Sequence, residues 1–137
     1  MDRLAGWENR LVTYYERVRN APFQWGKLDC ALFACDAIET MTGIDPARDL
    51  RGKYETEEQA TDYGDLGTLA ADAMQREGVV TINPKLAKRG DPILADIHGR
   101  QTLGVCDGRR VLFVKPTGGM GSLSIDSLML VRAWSIP

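Results

Sequence analysis

Cys30 has the setting in which a side chain could do chemistry. It follows Phe23-Gln24-Trp25-Gly26-Lys27-Leu28-Asp29 and opens the apolar run Ala31 to Ala34. Asp29 can cap a helix, which puts Cys30 in the first helical position, its thiol beside unpaired backbone N–H groups. The positive end of the helix dipole favours the thiolate there, so the spacing offers a nucleophile. A nucleophile of this kind needs a base. The chain holds one histidine, His98, within Ile97-His98-Gly99-Arg100-Gln101, which reads as the tip of a hairpin. A solvent-facing turn is the expected place for it.

Other clusters carry less chemistry. Lys115-Pro116-Thr117-Gly118-Gly119-Met120-Gly121 is Gly-rich but lacks the Gly-Lys-Ser/Thr ending of a phosphate loop, and it reads as a strand connection. Glu55, Glu57 and Glu58 fall at the start of a helix, where they complement its dipole. Arg109-Arg110 is expected in a solvated hairpin. Trp7, Tyr14 and Tyr15 share one helix and are expected to pack inward, with one side open to a neighbouring subunit.

The elements that must position Cys30 follow from periodicity. Leu4, Trp7, Leu11, Tyr14, Tyr15 and Val18 recur at helical spacing, and Asn20-Ala21-Pro22 ends that helix. The second helix runs from Asp29 to about Thr42, with Gly43 as its stop; it is apolar nearly all round, hence central and buried. Thr56 and Gln59 have capping-box spacing, predicting a short helix to Asp62. Gly64 to Gly67 is expected to break it before a further helix over Thr68 to Glu77. From Lys88 the period changes to strands at Asp91–Asp96, Thr102–Asp107, Val111–Lys115, Leu123–Ile125 and Leu128–Trp134, with Asp107-Gly108 as a hairpin turn. Helices followed by a strand meander predict an α+β domain over residues 1–137, its central helix packed on an antiparallel sheet of about five strands.

Composition sets the bounds. Hydrophobic residues make up 44% and charged residues 26%, as in ordinary globular domains. A formal net charge of -2 gives no footprint for nucleic acid or an anionic membrane. No apolar stretch is long enough for a membrane span, and the N-terminus does not read as a signal peptide, so folding in a cytoplasm is expected. The three cysteines, Cys30, Cys35 and Cys106, lack paired spacing and are expected to be free. With one histidine and no Cys-x-x-Cys, neither a metal nor a cofactor is expected.

Phe23-Gln24-Trp25-Gly26…Asp29-Cys30…Phe33, then Arg51-Gly52-Lys53-Tyr54, Arg89-Gly90-Asp91, Leu103-Gly104-Val105 and Ala133-Trp134 follow one another along nearly the whole chain. In this order they resemble the papain-fold NlpC class of cell-wall endopeptidases. More closely they resemble a divergent branch found among tail proteins of bacteriophages and gene transfer agents. The resemblance implies a papain-like fold, a place in the virion tail after assembly in the host cytoplasm, and other tail or baseplate proteins, with peptidoglycan, as partners.

In active members of that class the Cys attacks an amide carbonyl, a His opening the second strand takes its proton, and a polar residue on the third strand orients the ring. Carried onto this chain, Cys30 matches the nucleophile, but Thr102 stands where the His would fall, and Val114 or Lys115 where the orienting residue would. Phe23 replaces a frequent Tyr. Trp25, Asp29 and Thr102 are thereby implied to line a former substrate groove. The departures favour a non-enzymatic component of a tail tip or baseplate, the peptidase-like domain serving as an adaptor. The alternative is a cysteine endopeptidase or amidase that opens peptidoglycan during genome delivery, with Cys30 as nucleophile and His98 as an unorthodox base.

Overall fold

The apolar run after Asp29 forms helix α2 (Cys30–Thr42) in the computed structural model, which describes residues 1–137. Gly43, at φ 80°, ends it in the left-handed conformation that a residue with a Cβ avoids. Helix α1 (Trp7–Val18) packs on α2 through Leu11, Tyr14 and Val18, and the Tyr14 hydroxyl donates to the Phe33 carbonyl at 3.1 Å. This helix starts later than the spacing of Leu4 predicts. Gly6 takes a left-handed turn before it, and the Leu4 N–H bonds the Met41 carbonyl instead. The side of α1 expected to stay open is partly covered, since the Arg3 guanidinium lies 4.2 Å over the Trp7 ring.

Helices α3 (Glu57–Asp62) and α4 (Leu66–Arg76) are capped by Thr56 and Asp65, whose side chains accept from the Gln59 and Thr68 N–H groups. The expected break over Gly64 to Gly67 is therefore too long, for Gly67 lies inside α4. A Cβ there would come 3.3 Å from Leu94, so close packing on the sheet explains a glycine in the helix. No helix is long and apolar enough to cross a membrane.

Six strands, rather than about five, form one antiparallel sheet: β1 (Val80–Ile82), β2 (Pro92–Ile97), β3 (Arg100–Asp107), β4 (Arg110–Val114), β5 (Met120–Ser124) and β6 (Met129–Ser135), in the order β1-β6-β2-β3-β4-β5. The additional strand, β1, spans three residues at the edge, too few for alternation to reveal. Strand β5 is displaced toward the N-terminus of the expected Leu123–Ile125, and Ile125–Ser127 forms a 3-10 turn. Alternation along the strands builds two apolar faces. Leu94, Leu103, Val105, Val114 and Trp134 pack with Phe33, Ala37, Ile38 and Met41 of α2 in the main core. Ile93, Ala95, Cys106, Val111 and Phe113 form a second cluster on the other face.

The Gly90-Asp91 strand start closes the structure. The fully buried Asp91 accepts from Arg3 at 2.9 Å, Lys88 N–H at 2.9 Å and Ile136 N–H at 3.0 Å, tying both chain ends to the head of β2.

Candidate functional site

The turn before Cys30 is closed on itself, the Gln24 and Leu28 backbones exchanging hydrogen bonds of 2.9 and 2.8 Å. Gly26 sits in it at φ 79°, and a Cβ there would lie 1.9 Å from the Tyr54 carbonyl oxygen. Only glycine permits that approach. Gly52 N–H returns a bond to the Gly26 carbonyl at 3.0 Å, and Arg51 pairs with Asp36 at 2.7 Å and Asp45 at 2.9 Å. The Arg51-Gly52-Lys53-Tyr54 segment is thus the bed on which the turn rests.

Asp29 caps α2 and is 1% exposed. Its carboxylate accepts from Leu32 N–H at 2.9 Å, Gly26 N–H at 3.1 Å and the Tyr54 hydroxyl. Burial and then the Asp29 bond push the Tyr54 phenol well above its ordinary range, so it stays a donor. These three donors and its burial make Asp29 a positioning residue. It holds the turn from below the groove that the sequence analysis expects it to line.

Cys30 is the first residue of α2 and is half-buried. Burial pushes its thiol up, and the Asp29 charge adds to that; bonds from the Leu103 and Ala31 backbones and the Arg100 charge oppose it without reversing the direction. The helix N-terminus alone would favour the thiolate, but here desolvation wins. Cys35 and Cys106 are buried free thiols that serve as packing.

Two clefts meet at Cys30 and share Trp25, Cys30 and Arg100. The strand-side cleft, of about 410 Å³, brings together Trp25, Cys30, His98 and Thr102, with Phe23, Val114 and Lys115 also on its lining. Thr102 is buried, lies opposite Ala95 on β2, and donates its hydroxyl to the Arg100 carbonyl at 3.2 Å. A hydroxyl cannot take a proton from a thiol near neutral pH. Val114 is buried in the core, and Lys115 lines the cleft. His98, at φ 53°, and Gly99, at φ 77°, form the two-residue tip between β2 and β3, and His98 is exposed at the end of the cleft. The helix-side cleft, of about 340 Å³, lies between α2, α4 and the segment before α3; Leu32, Leu50, Tyr63 and Leu69 help to line it, and Asp29 belongs to this side.

Arg100 divides the two. Its guanidinium pairs with Glu57 at 2.6 Å and lies 5.7 Å from the centre of the Trp25 ring. The sequence reading placed Arg100 in a hairpin tip and missed this role. The signal was available: Arg100 and Thr102 are two apart, so on one strand they share a face. No group of three His, Cys, Asp or Glu side chains converges as metal ligands would.

The fold has a solved counterpart. The crystal structure of the NlpC/p60 domain of the peptidoglycan hydrolase SagA is similar to this chain with a TM-score of 0.58 at 18% identity, over 93% of this chain and 97% of that one. At that identity the likeness establishes the α+β, NlpC/p60 papain-like fold. No curated protein matches. A family described as a domain of unknown function (DUF6950) matches residues 2–136, and the chain belongs to that family.

Proposed function

We propose that this chain is a non-hydrolytic structural component of a phage-type tail tip or baseplate, in which the NlpC-like domain acts as an interaction adaptor. One observation carries the loss of hydrolysis: where the fold would need an imidazole beside Cys30, Thr102 presents a hydroxyl already donated to Arg100, and burial holds the thiol protonated. The tail setting is supported by the ordered series of motifs, which resembles that of the phage and gene-transfer-agent branch. On this reading the partners are other tail or baseplate proteins, and the chain travels in the virion after assembly in the host cytoplasm. Two measurements test the proposal. Mass spectrometry of purified tailed particles from a host carrying this gene is expected to find the chain; its absence from every such particle would remove the tail role. Iodoacetamide labelling of Cys30 against pH is expected to be slow near neutrality and indifferent to His98→Ala.

A second reading has a specific observation in its favour, because His98 and Cys30 line one cleft. In it the Cys30 sulfur attacks a peptide-stem carbonyl of peptidoglycan while His98 accepts the thiol proton, and then returns it to the departing amine. Water next hydrolyses the thioester and regenerates the thiol. The likeness to a peptidoglycan hydrolase domain lends it support. Fast labelling well below the ordinary thiol range, slowed by His98→Ala and accompanied by release of soluble muropeptides, would establish it in place of the adaptor.

A further inference from the structure

We infer that the strand-side cleft binds an acidic side chain carried on an extended protein segment. This rests on the adaptor reading, in which the cleft holds a peptide without cutting it, and gives the partner's chemistry. The charge of the cleft is one-sided. Arg100, Lys115 and His98 are its ionisable lining groups apart from Cys30, and neither Asp nor Glu lines it, although the chain as a whole carries a net charge of -2. Lys115 is exposed, and its ammonium has no carboxylate within ion-pair distance, unlike Arg100, which Glu57 engages from the far side. The cleft therefore offers an unspent positive charge, N–H donors on Arg100 beyond the one given to Glu57, and the Thr117 hydroxyl, the Thr102 hydroxyl being already donated to the Arg100 carbonyl.

Aromatic walls complete the site. Phe23 and Trp25 stack edge-to-face at 4.9 Å, both half-exposed, and the buried Phe113 also lines the cleft. Such walls suit the aliphatic stem of a glutamate or aspartate and the flanking backbone, while the cations take the carboxylate. The site is also continuous with the helix-side cleft through Trp25, Cys30 and Arg100, so a chain can leave it on both sides. That continuity points to an internal acidic residue instead of a free C-terminus. The base and orienting positions carried over from the NlpC class, Thr102 and Val114 or Lys115, lie on this same cleft. Where the resemblance would put a base, this chain has Thr102, and the cation Lys115 is one of the two candidates for the orienting position.

The test uses the whole chain and three short peptides: Ala-Ala-Glu-Ala-Ala blocked at both ends, its Gln counterpart blocked likewise, and penta-alanine with a free C-terminus. Binding is followed by chemical shifts of the Trp25 indole and Lys115 amide, and each mixture is then checked by mass spectrometry for cleavage. The Glu peptide is expected to bind about tenfold more tightly than the Gln peptide, and more weakly as salt rises. Lys115→Met should lower its affinity about tenfold, and Lys115→Arg should restore it, with shifts in α1 unchanged as the control for folding. Equal affinity for the Glu and Gln peptides, or binding of the free-C-terminus peptide alone, would overturn the inference. Cleavage of the Glu peptide with its selectivity intact would uphold the inference while refuting the adaptor reading.

Discussion

The two clefts that meet at Cys30 are built from different material. The helix side is walled by leucines, alanines and tyrosines from residues 31–73, and its one cation, Arg100, is shared with the other side. The strand side is walled by aromatic rings and cations from the β2–β3 tip and the end of β4. A thiol between them gains different things from each. The apolar side desolvates it, which pushes the thiol up. The cationic side could steady a negative charge but not create one, since a guanidinium or ammonium is already protonated near neutral pH. The neighbourhood thus suits holding an anion that arrives with a ligand better than making one on sulfur.

The sharpest way to break this comparison is to remove what the clefts share. Gly26→Ala forces a Cβ to within 1.9 Å of the Tyr54 carbonyl oxygen at a positive φ, and should lower unfolding free energy by about 3 kcal/mol or more in urea. An unchanged midpoint would mean that the turn is not the shared support. Tyr54→Phe removes one donor from the buried Asp29 carboxylate and should cost about 1–3 kcal/mol in the same measurement.

Thr102→His sharpens the contrast by adding a proton acceptor to the strand side. In the native chain burial raises the Cys30 thiol above its ordinary 9.0, so the thiolate fraction, and with it the labelling rate, should still be climbing beyond pH 9. An imidazolium beside the sulfur favours the thiolate, so the variant should label about tenfold faster at pH 7. Equal rates would show that position 102 does not reach the thiol. The smallest effect is expected of Glu57→Gln, which frees Arg100 from its tie across the clefts. An ion pair this exposed contributes roughly 0–1 kcal/mol, so the thermal midpoint should hardly move, while the Trp25 indole resonance shifts as the guanidinium is released.

The sequence was most legible where structure is local. Asp29 capping α2, Gly43 ending it and the apolar run between are set by neighbours within a few residues, and all three stand as read. His98 likewise sits in the two-residue tip that its flanking residues announce, although the tip is tighter than the five residues read for it. Legibility failed where distant partners decide. Gly67 looks like a helix breaker until Leu94 packs against it, and β1 becomes a strand only by pairing with Ala133–Ser135. Arg100 read as part of a turn because Glu57 and Trp25, which fix its guanidinium, lie 43 and 75 positions away. The mount of Cys30 could be read from one segment; the clefts could not, because five or more segments make their walls.

The bed beneath the Gly26 turn has a consequence for what the shared signature means. The hydrogen bonds that fix it come from Asp29, Gly52 and Tyr54, and none from β3 or β4. Mount and chemistry are therefore separable. A chain that retains Trp-Gly…Asp-Cys with Arg-Gly-x-Tyr retains the way the sulfur is displayed, whatever its strands have become. In this chain the segment fixes a shape, and Thr102 on β3, Val114 at the end of β4 and Lys115 just after it lie outside that segment.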